Sequence, residues 1–237
     1  MTAIDASKTV LVLFCKRPDR GFGKQRLAND LGEEYAFKLA SALLDCALED
    51  AATWHGQLVI APSSTADLVW ARELTDTLVL QSQSVEVVAQ TVGGLGERLL
   101  DIDTRLREQG AQKIIYMGSD APALQPKHLN LAIQELCNHD VVLADALDGG
   151  VTLMASGCHW PDIVGLPWST TRLGDELAAK CTAAGLSVRR IDGGSDVDTA
   201  EDVRKLTSLL RRDQRPARRA LIKIVGKAIH VTQATSP

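Results

Sequence analysis

The sequence predicts one α/β domain with a mostly parallel, helix-covered sheet, and three features carry that expectation. Short apolar runs rich in β-branched residues, such as Thr9 to Cys15 (TVLVLFC) and Lys113 to Met117 (KIIYM), suit strands buried on both faces. Stretches with apolar residues at helical spacing separate these runs, so strand and helix alternate. With 237 residues, 45% hydrophobic and 24% charged, the chain has ordinary globular composition and enough length for one substantial core.

After the first strand the chain enters a polar, glycine-containing loop. Glu33 to Thr53 carries Ala36, Leu39, Ala40, Leu43, Leu44, Ala47 and Leu48 at helical spacing, and Gln57 to Ala61 follows as a strand. A helix near Ala66–Leu74, a strand near Val85–Ala89, a helix from Gly96 to Gln109 and the strand from Lys113 continue the alternation. Pro126 is suited to open a helix running to about His139, because its fixed φ is helical and its missing N–H is one that a first turn leaves unbonded. Val141–Ala144 and Val151–Ala155 read as strands around the turn-forming Asp148-Gly149-Gly150. Thr171–Ala184 is helical and Leu186–Ile191 a strand, and Thr199-Ala200-Glu201-Asp202 has the Thr-x-x-acid form of a helix start.

Residues 1–210 are assigned to the main domain and 211–237 to a basic extension, because Arg204–Lys227 holds nine Lys/Arg against one Asp. Within the extension, Ala220–Val225 is expected to pack on the domain or on a second subunit, as in a homodimer. Arg211, Arg212, Arg215, Arg218 and Arg219 are expected to face outward. Contact of this segment with an anionic membrane is the less favoured alternative.

Composition excludes several classes. A formal net charge of -4 gives no general attraction for phosphate backbones, and aromatics at 4% make a poor base-stacking surface, so nucleic acid is not an expected partner. The five cysteines are odd in number, widely spaced and without a CxxC pair, which fits reduced thiols in the cytosol. No run approaches the length of a membrane span, and a soluble, cytoplasmic protein is expected.

Four clusters carry chemistry. Lys16-Arg17-Pro18-Asp19-Arg20-Gly21-Phe22-Gly23-Lys24-Gln25-Arg26 follows the first strand, where glycine turns and basic side chains suit a diphosphate; a solvated basic loop is the plainer alternative. Gly118-Ser119-Asp120-Ala121-Pro122 ends another apolar strand, and Asp120 is the leading ligand for a hard cation, or else a turn cap. Gly193-Gly194-Ser195-Asp196-Val197-Asp198-Thr199 delivers two carboxylates just before a helix. One of Asp196 and Asp198 is expected to bind the cation, Mg²⁺ or Mn²⁺, and the other to support the helix start. Asp148-Gly149-Gly150 admits a ligand close to the backbone, with Asp148 as acceptor-orienting group or base, although a simple hairpin turn explains the triplet as well. Trp168 is suited to stack on substrate or to fill the core.

These residues resemble a bacterial family of proposed glycosyltransferases with the glycosyltransferase-A fold, some associated with radical-SAM genes and arsenosugar biosynthesis. The family pattern F-x-K-x-P-x-x-G-x-x-K-T-R-L corresponds to Phe14, Lys16, Pro18, Gly21, Lys24, Arg26 and Leu27. Leu95-Gly96-Glu97-Arg98, Gly118–Leu124, Asp148–Gly150 and Asp196–Thr199 match its later motifs in order, and the likeness spans Val10 to Leu206. Gln25 stands in place of the family's threonine, and Val151 and Thr152 in place of two aromatic residues. The resemblance implies a Rossmann-like nucleotide-diphospho-sugar transferase fold, related to molybdenum-cofactor and phospholactate nucleotidyltransferases. It implies one cleft for nucleotide and acceptor, and the leading reading of the residues places a nucleotide or nucleotide-sugar substrate on Lys16, Gly21, Lys24, Arg26, Arg98 and Ser119, with Asp120, Asp196 and Asp198 at the metal. A small or medium acceptor would meet Asp148, Gly149, Gly150 and Trp168. Nucleotidyl transfer, or sugar-nucleotide binding without catalysis, are the competing implications.

Overall fold

A computed structural model describes residues 8–21, 24–77 and 84–234, with side chains described as far as residue 226. In chain order the elements are β1 (Thr9–Cys15), α1 (Gln25–Leu31), α2 (Glu33–Ala52), β2 (Gln57–Pro62), α3 (Leu68–Thr77), β3 (Ser84–Val87), α4 (Leu95–Glu108) and β4 (Lys113–Gly118). They continue with α5 (Pro126–Glu135), β5 (Val141–Asp145), β6 (Val151–Ser156), α6 (Leu173–Ala183), β7 (Val188–Asp192), α7 (Ala200–Leu209) and α8 (Pro216–Ala234).

The seven strands form one sheet in the order β3-β2-β1-β4-β6-β5-β7. Only β6 runs against its neighbours, because the Asp148-Gly149-Gly150 turn folds it back beside β5 and it inserts between β5 and β4. The chain steps outward from β1 through β2 to β3, then returns to pair β4 with the other side of β1. That reversal is a topological switch point, where the loops leaving β1 and β4 diverge and leave a crevice beyond the strand ends.

β1 explains why its sequence is continuously apolar. Leu11, Leu13 and Cys15 enter a core with α2, α3 and α5, whereas Val10 and Val12 enter another with α4 and α6. Alternate side chains therefore meet helices on opposite faces. A third core lies on the far side of α2, where Leu39, Leu43 and Cys46 meet Leu27 of α1, Val203 and Leu206 of α7, and Leu221 and Val225 of α8.

Three local expectations need correction. The loop after β1 contains the additional helix α1, hidden because its N-cap is Lys24 in left-handed conformation (φ 46°), outside the usual Ser/Thr/Asp/Asn capping set. Helix α5 ends at Glu135 instead of continuing to His139. Arg215 and Arg218 turn inward: Arg218 is fully buried, bonding Glu49 and Asp50 of α2, and Arg215 pairs with Asp50 and Asp213. Arg211, Arg212 and Arg219 do face outward. Among the described residues no helix is long and apolar enough to cross a membrane.

Candidate functional site

The crevice at the switch point is a cleft of about 620 Å³. The loop after β1 contributes Lys16, Arg17 and Pro18, α1 contributes Gln25 and Arg26, and the end of β4 contributes Gly118, Ser119 and Asp120. Lys24, Gln90, Arg98, Trp168 and Asp198 also line it. Five basic side chains thus face the cleft against two carboxylates, in a protein whose net charge is -4. The local field favours an anion even though the molecule as a whole does not.

Lys24 is the centre of the arrangement. Its ammonium lies 2.9 Å from Asp120 Oδ2 and 2.7 Å from Asp198 Oδ1, and donates to the Val197 carbonyl at 2.5 Å. Burial works against this charge, but Asp120 and Asp198 outweigh it and hold the pKa above the ordinary lysine range. Arg26 is open to solvent, whereas the Lys24 side chain is only 10% exposed. Its left-handed backbone costs a non-glycine residue about 1–2 kcal/mol, and the three contacts account for its retention. Val197 N–H donates to the Asp120 carbonyl at 3.0 Å, which binds the two carboxylate loops directly to each other.

The Leu95-Gly96-Glu97-Arg98 motif builds another wall. Glu97 accepts from the Gly94 amide at 2.6 Å and caps α4, and Arg98 Nε donates to the Gly93 carbonyl at 2.8 Å. Gly96 leaves room for Trp168: a Cβ there would lie 2.7 Å from the indole nitrogen, which donates to the Ile163 carbonyl at 3.0 Å. Trp168 is therefore held at the cleft with one end in the core. Sequence reasoning missed Gln90, which donates to the Ala61 carbonyl at 2.6 Å and lies 3.4 Å from Arg98 Nη1. A lone glutamine after a short strand carries no motif; its burial in a cleft wall is visible only in the fold. Gly21 (φ 75°) turns the loop and its carbonyl accepts from Gln25, whereas Phe22 and Gly23 lie outside the described residues.

Asp148 and Asp196 are brought together elsewhere. They line a second cleft of about 460 Å³ with Leu147, Ser195, Val197 and the outer face of α7. The chain from Asp196 to Asp198 separates the two clefts, with Asp198 on the basic side. Burial, followed by the carboxylates of Asp148 and Asp198, pushes the Asp196 carboxyl up to about 6. Asp148 Oδ1 accepts from the Gly150 amide at 2.9 Å, fixing the turn. Gly149 (φ 94°) packs against α6, its carbonyl accepting from Gly174 N–H at 3.0 Å. Neither glycine lines the basic cleft. Thr152, where an aromatic residue was anticipated from the resemblance, is buried and donates to the Gly193 carbonyl at 3.1 Å.

The residue supporting the helix start is neither Asp196 nor Asp198 but Asp202. Its carboxylate accepts from Thr199 N–H at 2.8 Å and from Asp198 N–H at 3.2 Å, so it shapes the turn that presents Asp198. Among the described residues no three acidic, His or Cys side chains gather as a ready metal cage. The basic cleft instead offers two hard oxygen donors, Asp120 and Asp198, converging on one point now held by an ammonium. That donor set fits a cation which completes its shell with substrate phosphates.

The architecture is that of the nucleotide-diphospho-sugar transferases. A crystal structure described as a proposed nucleotide-diphospho-sugar transferase of Desulfovibrio desulfuricans G20 matches with TM-score 0.81 and 26% identity, over 95% of this chain and 98% of that one. A cytidylyltransferase of Leptospira borgpetersenii serovar Hardjo-bovis shares the fold at TM-score 0.55 and 16% identity, over 98% of this chain and 99% of its own. So does the 4-diphosphocytidyl-2C-methyl-D-erythritol synthase of Anaerococcus prevotii, at TM-score 0.52 and 12% identity, over 88% and 100%. No curated protein matches the sequence. The profile of DUF2064, described as an uncharacterized protein conserved in bacteria, matches residues 43–170, more than half of the chain, and the chain belongs to that family.

Proposed function

We propose that the protein is a glycosyltransferase that binds a nucleotide-diphosphate sugar in the basic cleft and transfers the sugar to a small or medium acceptor. The observation that carries this reading is the convergence of five basic side chains and the Asp120/Asp198 pair at the switch point of the sheet. The likeness to the Desulfovibrio protein, which spans nearly both chains, supports it.

Lys16, Arg17, Arg26 and Arg98 neutralise the diphosphate and lower the barrier to its departure by stabilising the developing charge. Asp120 and Asp198 would hold Mg²⁺ or Mn²⁺ when nucleotide is bound. That ion would supply electrostatic stabilisation of the leaving group. Lys24, which now holds both carboxylates, would turn its ammonium toward the phosphate. Asp148, which lines the cleft on the other side of the 196–198 segment, is assigned to orient the acceptor hydroxyl and take its proton, a role that requires the acceptor to reach across that segment to the donor. The acceptor oxygen forms a bond to the anomeric carbon, the bond from that carbon to the phosphate oxygen breaks, and a nucleoside diphosphate leaves.

A second reading is nucleotidyl transfer, favoured by the density of basic groups, which suits three phosphates as well as two. Product analysis separates them. A nucleotide and sugar-nucleotide panel scored by thermal shift would find the donor, since a ligand of the native state raises apparent stability. Turnover with that donor should then release nucleoside diphosphate. Pyrophosphate would establish the second reading, and binding without turnover over a broad acceptor panel would leave only a sugar-nucleotide-binding protein.

A further inference from the structure

We infer that Arg218, assisted by Arg215, is a positioning residue for Asp120, so that the basic helix α8 sets the geometry of the basic cleft from behind. The inference rests on the proposed role of Asp120 at bound phosphate. Its structural basis is a set of contacts that no sequence motif links to the cleft.

The loop carrying Asp120 leaves β4 at Gly118 and reaches α5 at Pro126. On its front side Asp120 touches Lys24, and its carbonyl accepts from Val197. On its back side the next carbonyls are held by α8. Arg218 Nε donates to the Pro122 carbonyl at 3.1 Å, and Nη2 donates to the Leu124 carbonyl at 3.2 Å. Arg215 Nη2 donates to the same Leu124 oxygen at 3.0 Å. The remaining Arg218 donors go to the Cys46 carbonyl and Glu49, at 2.5 and 2.9 Å, and to Asp50. All five guanidinium N–H groups are thereby used.

Helix docking alone does not require this arrangement. Leu221 and Val225 already place apolar surface against α2. A fully buried guanidinium pays a large desolvation cost, and well-packed apolar residues often replace buried ion pairs without loss of stability. Arg218 does what an apolar side chain cannot: it ties α2, through Asp50 and Glu49, to two main-chain carbonyls that lie two and four residues beyond Asp120. The loop is clamped between Val197 in front and α8 behind. A small displacement there would move the carboxylate relative to Asp198 and Lys24, and outer supports of a metal-binding carboxylate commonly contribute roughly 10–100-fold in affinity.

Three variants test this in the full chain: Arg218→Leu paired with Asp50→Leu, which exchanges the buried Arg218–Asp50 pair for apolar packing and leaves Arg215 paired with Asp213, Arg215→Met alone, and Arg218→Lys. Two readouts are taken, amide hydrogen exchange at residues 119–124 without ligand, and Mn²⁺ binding by electron paramagnetic resonance with and without nucleoside diphosphate. The paired variant should keep cooperative unfolding and slow exchange in β1, exchange faster at 119–124, and bind nucleotide-coupled Mn²⁺ roughly tenfold more weakly. Arg215→Met should shift both readouts in the same direction by less, and Arg218→Lys should recover part of the loss. Unchanged exchange at 119–124 in both Arg215→Met and the paired variant would overturn the inference, as would wild-type Mn²⁺ affinity in a paired variant that folds. If the paired variant does not fold, Arg215→Met decides alone. Absence of Mn²⁺ and nucleotide binding in the wild type would instead reject the proposed function, and the exchange measurement would still decide whether α8 clamps the loop.

Discussion

Lys24 donates to Asp198 at 2.7 Å across 174 residues of sequence, and the same ammonium lies 2.9 Å from Asp120. One side chain therefore occupies the point at which the two carboxylates converge. On the proposed function a divalent cation bound there would displace it, and a phosphate arriving with the cation would give it a new partner, so metal and nucleotide binding are expected to be coupled.

Lys24→Met separates the two halves of that coupling. Without nucleotide, Mn²⁺ should bind more tightly than to wild type, because no ammonium competes for the carboxylates. With nucleoside diphosphate, nucleotide affinity should fall by about tenfold, the scale of one charge-assisted hydrogen bond. Electron paramagnetic resonance for Mn²⁺ and calorimetry for nucleotide measure the two effects. Parallel weakening of both would show that Lys24 only supports the loop.

Asp198→Asn should reduce nucleotide-coupled Mn²⁺ binding by at least ~10-fold, whereas Asp196→Asn should leave it nearly unchanged. The reason is position: Asp198 faces the basic cleft, and Asp196 faces the second. Equal losses in the two variants would mean that the 196–198 segment rearranges when ligand enters.

The contrast between those two aspartates marks how far sequence reasoning reached. Alternating apolar runs revealed the strands because burial on both sheet faces leaves a local pattern, as in Thr9–Cys15. The strand-end position of Asp120 was likewise visible. Which of Asp196 and Asp198 joins it was not, since the choice depends on Val197 being drawn into the core beside Leu27 and on Asp202 capping the turn. Arg218 was misread for a similar reason. A run of arginines ordinarily means a solvated face, and its acidic partners Glu49 and Asp50 lie about 170 residues away, at separations of 169 and 168.

Cys15 lines the basic cleft but should be chemically inert. Burial, with Asp67 adding to it, pushes its thiol up to about 12, so the folded protein holds the neutral form near pH 8. A raised folded-state pKa means that the unfolded chain releases this proton first. Stability should therefore fall as pH rises above the unfolded thiol value of about 8.5, and that contribution is fully retained below it. Iodoacetamide at pH 8 followed by mass spectrometry should label the exposed Cys137 and spare Cys15, Cys46 and Cys181. Rapid labelling of Cys15 in native protein would contradict the assignment.

The Asp148-Gly149-Gly150 turn combines a chemical and a structural part, and two substitutions separate them. Asp148 is exposed and its one bond within the turn is to the Gly150 amide, a contact that an asparagine side-chain oxygen can also accept. Asp148→Asn should leave folding, Mn²⁺ binding and nucleotide affinity close to wild type while lowering turnover by roughly 10²-fold or more, the usual contribution of a positioned base. Gly149→Ala acts on the fold instead. Its φ of 94° suits glycine alone, and an added Cβ would lie 2.1 Å from the Thr171 carbonyl oxygen just ahead of α6. Moving that backbone strains the turn and the Gly174-to-Gly149 bond together, and a loss of at least ~2 kcal/mol in unfolding free energy follows. Urea denaturation of both variants, beside initial rates with the identified donor, tests the pair. Unimpaired turnover in Asp148→Asn would remove this residue from the reaction and return the triplet to a hairpin turn.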